Sequence, residues 1–229
     1  RRGKCERRRR PLSGLVACGE VTVTTVFIID DDAAMRTSLS RLLRAENIGT
    51  EVFCSAADYL AREPYGGVGC ILLDVNMPGI SGIELQKQLN DLGQDLPIIF
   101  LTGYGNIPMS VEAMKRGALD FLTKPVDQAD LLPAVRQALD HHRSLRTAAN
   151  LQESIAERLM SLTPRENEVM LELITGAPNK EIADRLQIAV KTVKVHRAHV
   201  MDKMGVRSVA ELLHLCHLVG IEPGSDVTT

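Results

Sequence analysis

Five short apolar runs, separated by segments with helical spacing, constrain the fold of this chain more than any other feature. They are TVFII (25–29), GTEVF (49–53), CILLD (70–74), PIIFL (97–101) and DFL (120–122). The intervening segments, 33–46, 56–63, 82–92, 107–116 and 128–149, repeat apolar residues at helical intervals. Ser81 and Glu84 stand three apart, as in a capping box that opens the third of these helices. Near-continuous apolar strands alternating with helices predict a parallel sheet covered on both faces.

Five such units predict an α/β flavodoxin-like (βα)5 domain, in which sites lie at the carboxyl ends of the strands. That rule gathers the polar residues. Asp30 and Asp31 follow the first strand, Asp74 ends the third, Thr102 follows the fourth, and Lys124 comes just after the fifth. Each alone has an ordinary explanation as a cap, a β-former or a solvated cation. Together they occupy one edge. Adjacent acids repel, more strongly where the dielectric falls, so DDD at 30–32 needs a cation, a proton or open water. Convergent carboxylates suit Mg²⁺, which keeps several waters and needs one or two carboxylates plus a phosphate. A Lys and a Thr at the same edge suit a phosphoryl group, and a carboxylate at a strand tip can be its acceptor.

The rest of the chain reads differently. Residues 128–160 form one long polar helix, or two. TPRE then places Thr163 as N-cap, Pro164 at N1 and Glu166 at N3. That helix ends near Gly176, a second spans 179–186 and a third spans 190–204, stopped by Gly205. Ser208 to Glu211 is a further capping box that opens a fourth. The boundaries expected are a basic tail over 1–23, an α/β core over 24–127, its last helix and linker over 128–160, a small all-α domain over 161–220, and a frayed end over 221–229.

Charge separates these parts. Residues 1–20 carry seven basic and two acidic side chains, so a net charge of −2 becomes −7 without them. In this acidic body, Lys180, Arg185, Lys191, Lys194, Arg197, Lys203 and Arg207 face only Glu181, Asp184 and Asp202. The local excess of basic residues suits phosphates. The tail reads as disordered, or as sequence upstream of a natural start near Val21 or Val23. It lacks a good signal segment. The five cysteines include no CxxC pair, which fits reduced thiols in the cytoplasm. No apolar run approaches the ~20 residues of a membrane span.

IIDDDAAMR, LLDVNMPGISG, FLTGYG and DFLTKP resemble the receiver domain of two-component response regulators, over about 24–145. The resemblance implies Asp74 as phospho-acceptor, Asp31 as a direct Mg²⁺ ligand, Asp30 acting mostly through water, and the Asn76 carbonyl as a third protein ligand. It implies that Thr102 and Lys124 contact the phosphoryl oxygens and that Phe121 is a switch aromatic. Asp32 falls where that family varies and reads as a helix cap. Tyr104 falls at another variable position, where its ring would shield the phosphoryl group or simply occupy a loop.

TPRE, NKEIA, TVKVHR and KMGVRS resemble the LuxR-type helix-turn-helix, over about 160–220. By position, Lys194, Val195 and Ala198 would face bases in the major groove, while Lys180, Lys191, Thr192, Arg197 and Lys203 would mostly contact phosphates. Ala189 stands where that family commonly has a capping Ser. The combination is similar to the FixJ branch. It implies a non-enzymatic cytoplasmic transcription regulator with a histidine kinase, double-stranded DNA and RNA polymerase as partners. Phosphorylation would drive homodimerisation through 107–116 and 120–122, with Val111 and Lys115 in the contact. Alternatives are a phosphorylation-independent DNA binder that keeps the receiver as a scaffold, an Asp-nucleophile phosphatase, which Asn76 and the lack of a cap segment disfavour, and a DNA-contacting role for the tail.

Overall fold

A computed structural model describes residues 24–103 and 113–223. These divide into two compact units, the first ending at Arg146 and the second beginning at Thr147. The first unit holds β1 (Thr24–Ile29), α1 (Ala33–Ala45), β2 (Gly49–Phe53), α2 (Ala56–Leu60), β3 (Val68–Asp74), α3 (Gly82–Asp91), β4 (Ile98–Thr102) and β5 (Asp120–Thr123). Helix α4 (Gln128–Met160) begins in this unit and is continuous, which resolves the one-or-two expectation in favour of one. Val111, Tyr104 and most of the expected helix 107–116 lie outside the described residues.

The sheet is parallel, in the order β2-β1-β3-β4-β5. Side chains alternate across it with the two-residue period of a strand. Phe27, Ile29, Ile71 and Leu73 join one buried layer with Leu85 and Leu89 of α3. Val26, Ile28, Cys70 and Leu72 join the other with Leu39 and Leu43 of α1 and Val135 of α4. With few aromatics to spend, the chain concentrates them. Phe27 packs edge-on against Tyr59 and Tyr65, and the Arg62 guanidinium lies 4.5 Å from the Phe27 and Tyr59 ring centres. β2 departs from the near-continuous apolar pattern. It is an edge strand, and Val52 is 46% exposed.

His142 of α4 is fully enclosed, and its Nδ1 accepts the Gly69 N–H of β3 at 3.0 Å. The ring proton therefore sits on Nε2, 3.4 Å from Asp95 Oδ1. Burial pushes the His142 pKa down, against the pull of Asp95, and Arg146 and His141 add to the lowering. The unfolded chain, with an imidazole near ~6.5, takes up the proton first. Stability of the first unit should thus decline as pH falls below about 6.5. Urea titrations between neutral and mildly acidic pH check this, and His142→Leu should flatten the decline.

The second unit packs α5 (Pro164–Ile174), α6 (Asn179–Leu186), α7 (Val190–Met204) and α8 (Val209–Leu218) around a separate core. Val169, Ile182, Val193, Val200, Met204 and Leu212 form its centre. The capping boxes at Ser81–Glu84 and Thr163–Glu166 are complete. The expected box at Ser208–Glu211 is only half made. Ser208 caps the Glu211 N–H, but the Glu211 carboxylate reaches one residue further back and accepts from the Arg207 N–H at 2.8 Å.

Candidate functional site

Strand order places the first candidate site. β1 and β3 are neighbours, with Ile29 opposite Leu73, so the residues that follow them, Asp30 and Asp74, emerge side by side. β3 pairs β4 and β4 pairs β5, with Thr102 opposite Thr123, which delivers Thr102 and Lys124 to the same edge. Asp30, Asp74 and Thr102 are buried, while Asp31 and Asn76 are exposed. The Lys124 ammonium lies 2.8 Å from Asp30 and 3.0 Å from Asp74. The Lys124–Pro125 peptide bond is cis.

Donor oxygens of Asp30, Asp31 and Asp74 all lie within 4.8 Å of one another. Three carboxylates against one ammonium leave two negative charges unbalanced. Burial raises the Asp74 pKa and the Asp30 charge adds to it, opposed by Lys124 and the Asn76 N–H. For Lys124, burial works against the charged form, but hydrogen bonds and charge from both aspartates outweigh it and raise the pKa. An all-oxygen donor set with a net negative charge fits a hard divalent cation such as Mg²⁺. Within it the acids differ. Asp30 spends Oδ1 on the Asp32 N–H at 2.9 Å and Oδ2 on Lys124, whereas Asp31 is open to solvent. Asp32 is the α1 N-cap, accepting from the Ala34 N–H at 2.8 Å. Phe121 is half-buried and stacked on Phe100, with centroids 5.0 Å apart.

Two supports escaped the sequence reading. Gly82, at the start of α3, donates to the Val75 carbonyl, and a Cβ there would meet the Asp74 carbonyl oxygen at 2.3 Å. Its signal was only a glycine after a capping serine. Gln86 is buried and donates to the Ala113 carbonyl at 3.1 Å, while Asn90 donates to the Arg116 carbonyl at 2.9 Å. Together they tie α3 to the segment after the fourth strand, where Lys115 is exposed.

The second candidate site is the outer face of α7. Val193, Val200 and Met204 anchor the helix in the core. Lys191, Thr192, Lys194, Val195 and Ala198 are exposed, Val195 to 48%. Lys180 is exposed on α6. The tight turn between α6 and α7 uses Gln187 in the left-handed region, at φ 51°. Arg197 donates to Asn179 at 3.2 Å and so links the two helices. The basic patch is thinner than its composition implies. Arg185 is engaged by Glu172 and Glu181. Lys203 is held by Glu166 at 2.6 Å and the Ser161 carbonyl at 2.9 Å. Lys203 and the Thr163 N–H in turn hold the Glu166 pKa down to about 2.

The α7 N-terminus lacks a side-chain cap, because Ala189 stands there in an extended conformation, at φ −69° and ψ 143°. Ala189→Ser should stabilise the second unit by about 1 kcal/mol. Its thermal unfolding would rise accordingly.

An acid pocket at the carboxyl edge of a parallel sheet is thus joined in one chain to a small helical unit with an exposed basic helix, the combination of a regulatory domain and a DNA-binding domain. Comparison with known proteins agrees. Residues 26–136 match the response regulator receiver domain, and residues 160–216 match the bacterial regulatory proteins of the luxR family. The transcriptional regulatory protein FixJ of Azorhizobium caulinodans is 42% identical over 203 residues, covering 89% of this chain and 96% of that one. The response regulator protein TodT of Pseudomonas putida is 41% identical over 192 residues, covering 84% and 85%. The solved structure of the response regulator StyR superposes with a TM-score of 0.80 at 44% identity, covering 85% of this chain and 98% of that one. The chain belongs to the FixJ/NarL-type response regulators, DNA-binding transcriptional regulators with a receiver domain. No helix among the described residues is long and apolar enough to cross a membrane.

Proposed function

We propose that phosphorylation of Asp74 by a sensor histidine kinase switches this regulator between weak and strong DNA binding. The observation that carries this is the meeting of Asp30, Asp31 and Asp74 around the single Lys124 ammonium. An Asp74 oxygen attacks phosphorus. The new P–O bond forms as the P–N bond to the kinase imidazole breaks, and that imidazole keeps the electron pair and takes up a proton. Bound Mg²⁺ would supply charge neutralisation for the phosphoryl oxygens. Asp31, Asp74 and the Asn76 carbonyl would hold it directly, and Asp30, already engaged by Lys124, would act through water. The site performs only its own phosphorylation and dephosphorylation, so the chain is a regulator and not an enzyme acting on other substrates.

The modification places about two negative charges where one stood. Lys124 and the Thr102 hydroxyl then pair with the phosphoryl oxygens. Thr102 moves toward them and Phe121 turns inward into the space it leaves, shifting an equilibrium between two receiver states. The face formed by 107–116 and 120–122, including Val111 and Lys115, dimerises. Two copies of α7 then read a two-fold-related duplex, with Lys194, Val195 and Ala198 at base edges and Lys180, Lys191, Thr192 and Arg197 at phosphates. Lys203 is committed to Glu166 and supports the fold of this domain. RNA polymerase is the partner downstream, and the setting is the cytoplasm. We assign the receiver core to 24–127, its last helix and linker to 128–160, and the DNA-binding domain to 161–220.

The test is to treat the full chain with Mg²⁺ and acetyl phosphate, then measure molecular mass and affinity for a duplex selected from random DNA. Dimer mass and binding about tenfold tighter are expected. Unchanged mass and affinity would favour the scaffold alternative. A separate check uses non-specific duplex. Lys191→Ala should reduce the slope of log affinity against log salt by ~1. Lys203→Ala should instead lower the thermal stability of the domain.

A further inference from the structure

One other group of metal-ligating side chains converges among the described residues, and it lies in the DNA-binding unit. Donor atoms of Glu166, His196 and His199 all lie within 4.8 Å of one another. The two histidines are three residues apart on α7, so they share a face of that helix. Glu166 projects from the first turn of α5.

The details fit a ligand set better than a simple ion pair. Glu166 is buried, and it divides its oxygens. Oε2 accepts from the Thr163 N–H and from Lys203, so the anion already has a cation. Oε1 faces His199 Nδ1 at 3.3 Å. His196 keeps its Nδ1 shielded from solvent without a hydrogen-bond partner. An ion pair needs one imidazole at most, and Lys203 makes even that one redundant. Two imidazoles add lone pairs, which a metal uses.

We propose that Glu166, His196 and His199 form a site for Zn²⁺ or a similar borderline divalent metal, which fastens the recognition helix α7 to α5. Two nitrogens and one carboxylate oxygen suit Zn²⁺, with water in the fourth position. Mg²⁺ and Ca²⁺ prefer oxygen alone. Tetrahedral Zn²⁺ with bonds of about 2.0–2.1 Å sets its donors roughly 3.4 Å apart. The Glu166–His199 pair already has that spacing. Rotation of His199, which is 58% exposed, and of the half-buried His196 closes the rest. The site is separate from the acid pocket and independent of Asp74 phosphorylation. Its occupancy stabilises the domain and adds positive charge beside the DNA-facing surface of α7.

The test uses the full chain, free of any polyhistidine tag, in excess Mg²⁺ so that the acid pocket is filled. Zn²⁺ is titrated by equilibrium dialysis, and thermal unfolding is followed in parallel. We expect one Zn²⁺ bound at micromolar metal and a raised unfolding temperature. Affinity should fall at least about tenfold in both His199→Ala and His196→Gln, and stay unchanged in Asp74→Asn. His199 is a surface residue, so its replacement leaves the fold intact. Unchanged Zn²⁺ affinity in either histidine variant, as thiol ligation elsewhere would give, overturns the proposal. So does the absence of bound Zn²⁺ in the parent chain.

Discussion

Asp74→Asn is expected to reduce acetyl-phosphate labelling of the protein to background, a loss of at least about 100-fold. Asparagine keeps the shape of the side chain but offers no carboxylate to phosphorus. The other site groups stay in place, so the loss isolates the acceptor role from folding. The comparison is a hydroxylamine-sensitive label on the parent chain and none on the variant. The same variant should be more stable than its parent in metal-free buffer, by about 1 kcal/mol, the scale of one close like-charge contact in a solvated setting. Its amide leaves two carboxylates, where there were three, around Lys124. Loss of label together with higher stability would identify a site strained by charge for the sake of function. Labelling that persists in the variant would move the acceptor elsewhere.

Gly82→Ala should produce a second large effect, through structure alone. The added Cβ falls 2.3 Å from the Asp74 carbonyl oxygen and 3.1 Å from the Val75 Cα. Both neighbours are backbone, so no side chain can turn aside to relieve the clash. Either α3 moves off the sheet or the end of β3 shifts. A cost of about 3 kcal/mol is expected, at the upper end for overpacking a rigid site. Urea unfolding of the receiver measures it. Because the displaced atoms carry Asp74, the labelling rate at saturating Mg²⁺ should also fall, even in molecules that remain folded. Normal labelling in a folded Gly82→Ala protein would show that the β3–α3 junction tolerates movement.

The acid pocket was legible because a parallel sheet converts sequence order into place. Once the strands are identified, Asp30, Asp74, Thr102 and Lys124 must emerge on one edge, and the register puts them there. The helix caps at Ser81 and Thr163 were equally legible, being local. Pairings across distance were not. Lys203 read as a phosphate contact because a basic residue on a recognition helix has no other obvious partner. Its partner, Glu166, is 37 positions away and had already been given a role as a cap. Arg185 misled in the same way, since Glu172 lies 13 positions before it on another helix. Gly82 carried no sign of its close approach, because contact with the Asp74 carbonyl depends on how α3 is laid on the sheet. The box expected at Ser208 failed by one residue, as the Glu211 side chain is long enough to choose between two adjacent N–H groups.

The edge strand β2 has a consequence for how such a switch avoids being bypassed. Among the described residues no strand pairs with its outer rim, and an open rim of this kind invites another copy to extend the sheet. Association by that route would need no phosphate and would bring DNA-binding units together in the absence of a signal. β2 is five residues long, begins with glycine, and exposes Glu51 beside Val52, while Thr50 is bonded to Ser40 and Arg44 of α1. Two copies meeting edge to edge would bring the Glu51 carboxylates into proximity and gain few backbone bonds. The shortness of this strand and the Glu51 carboxylate on it, which look like a weak point in the sheet, thus weigh against edge-to-edge pairing of two copies.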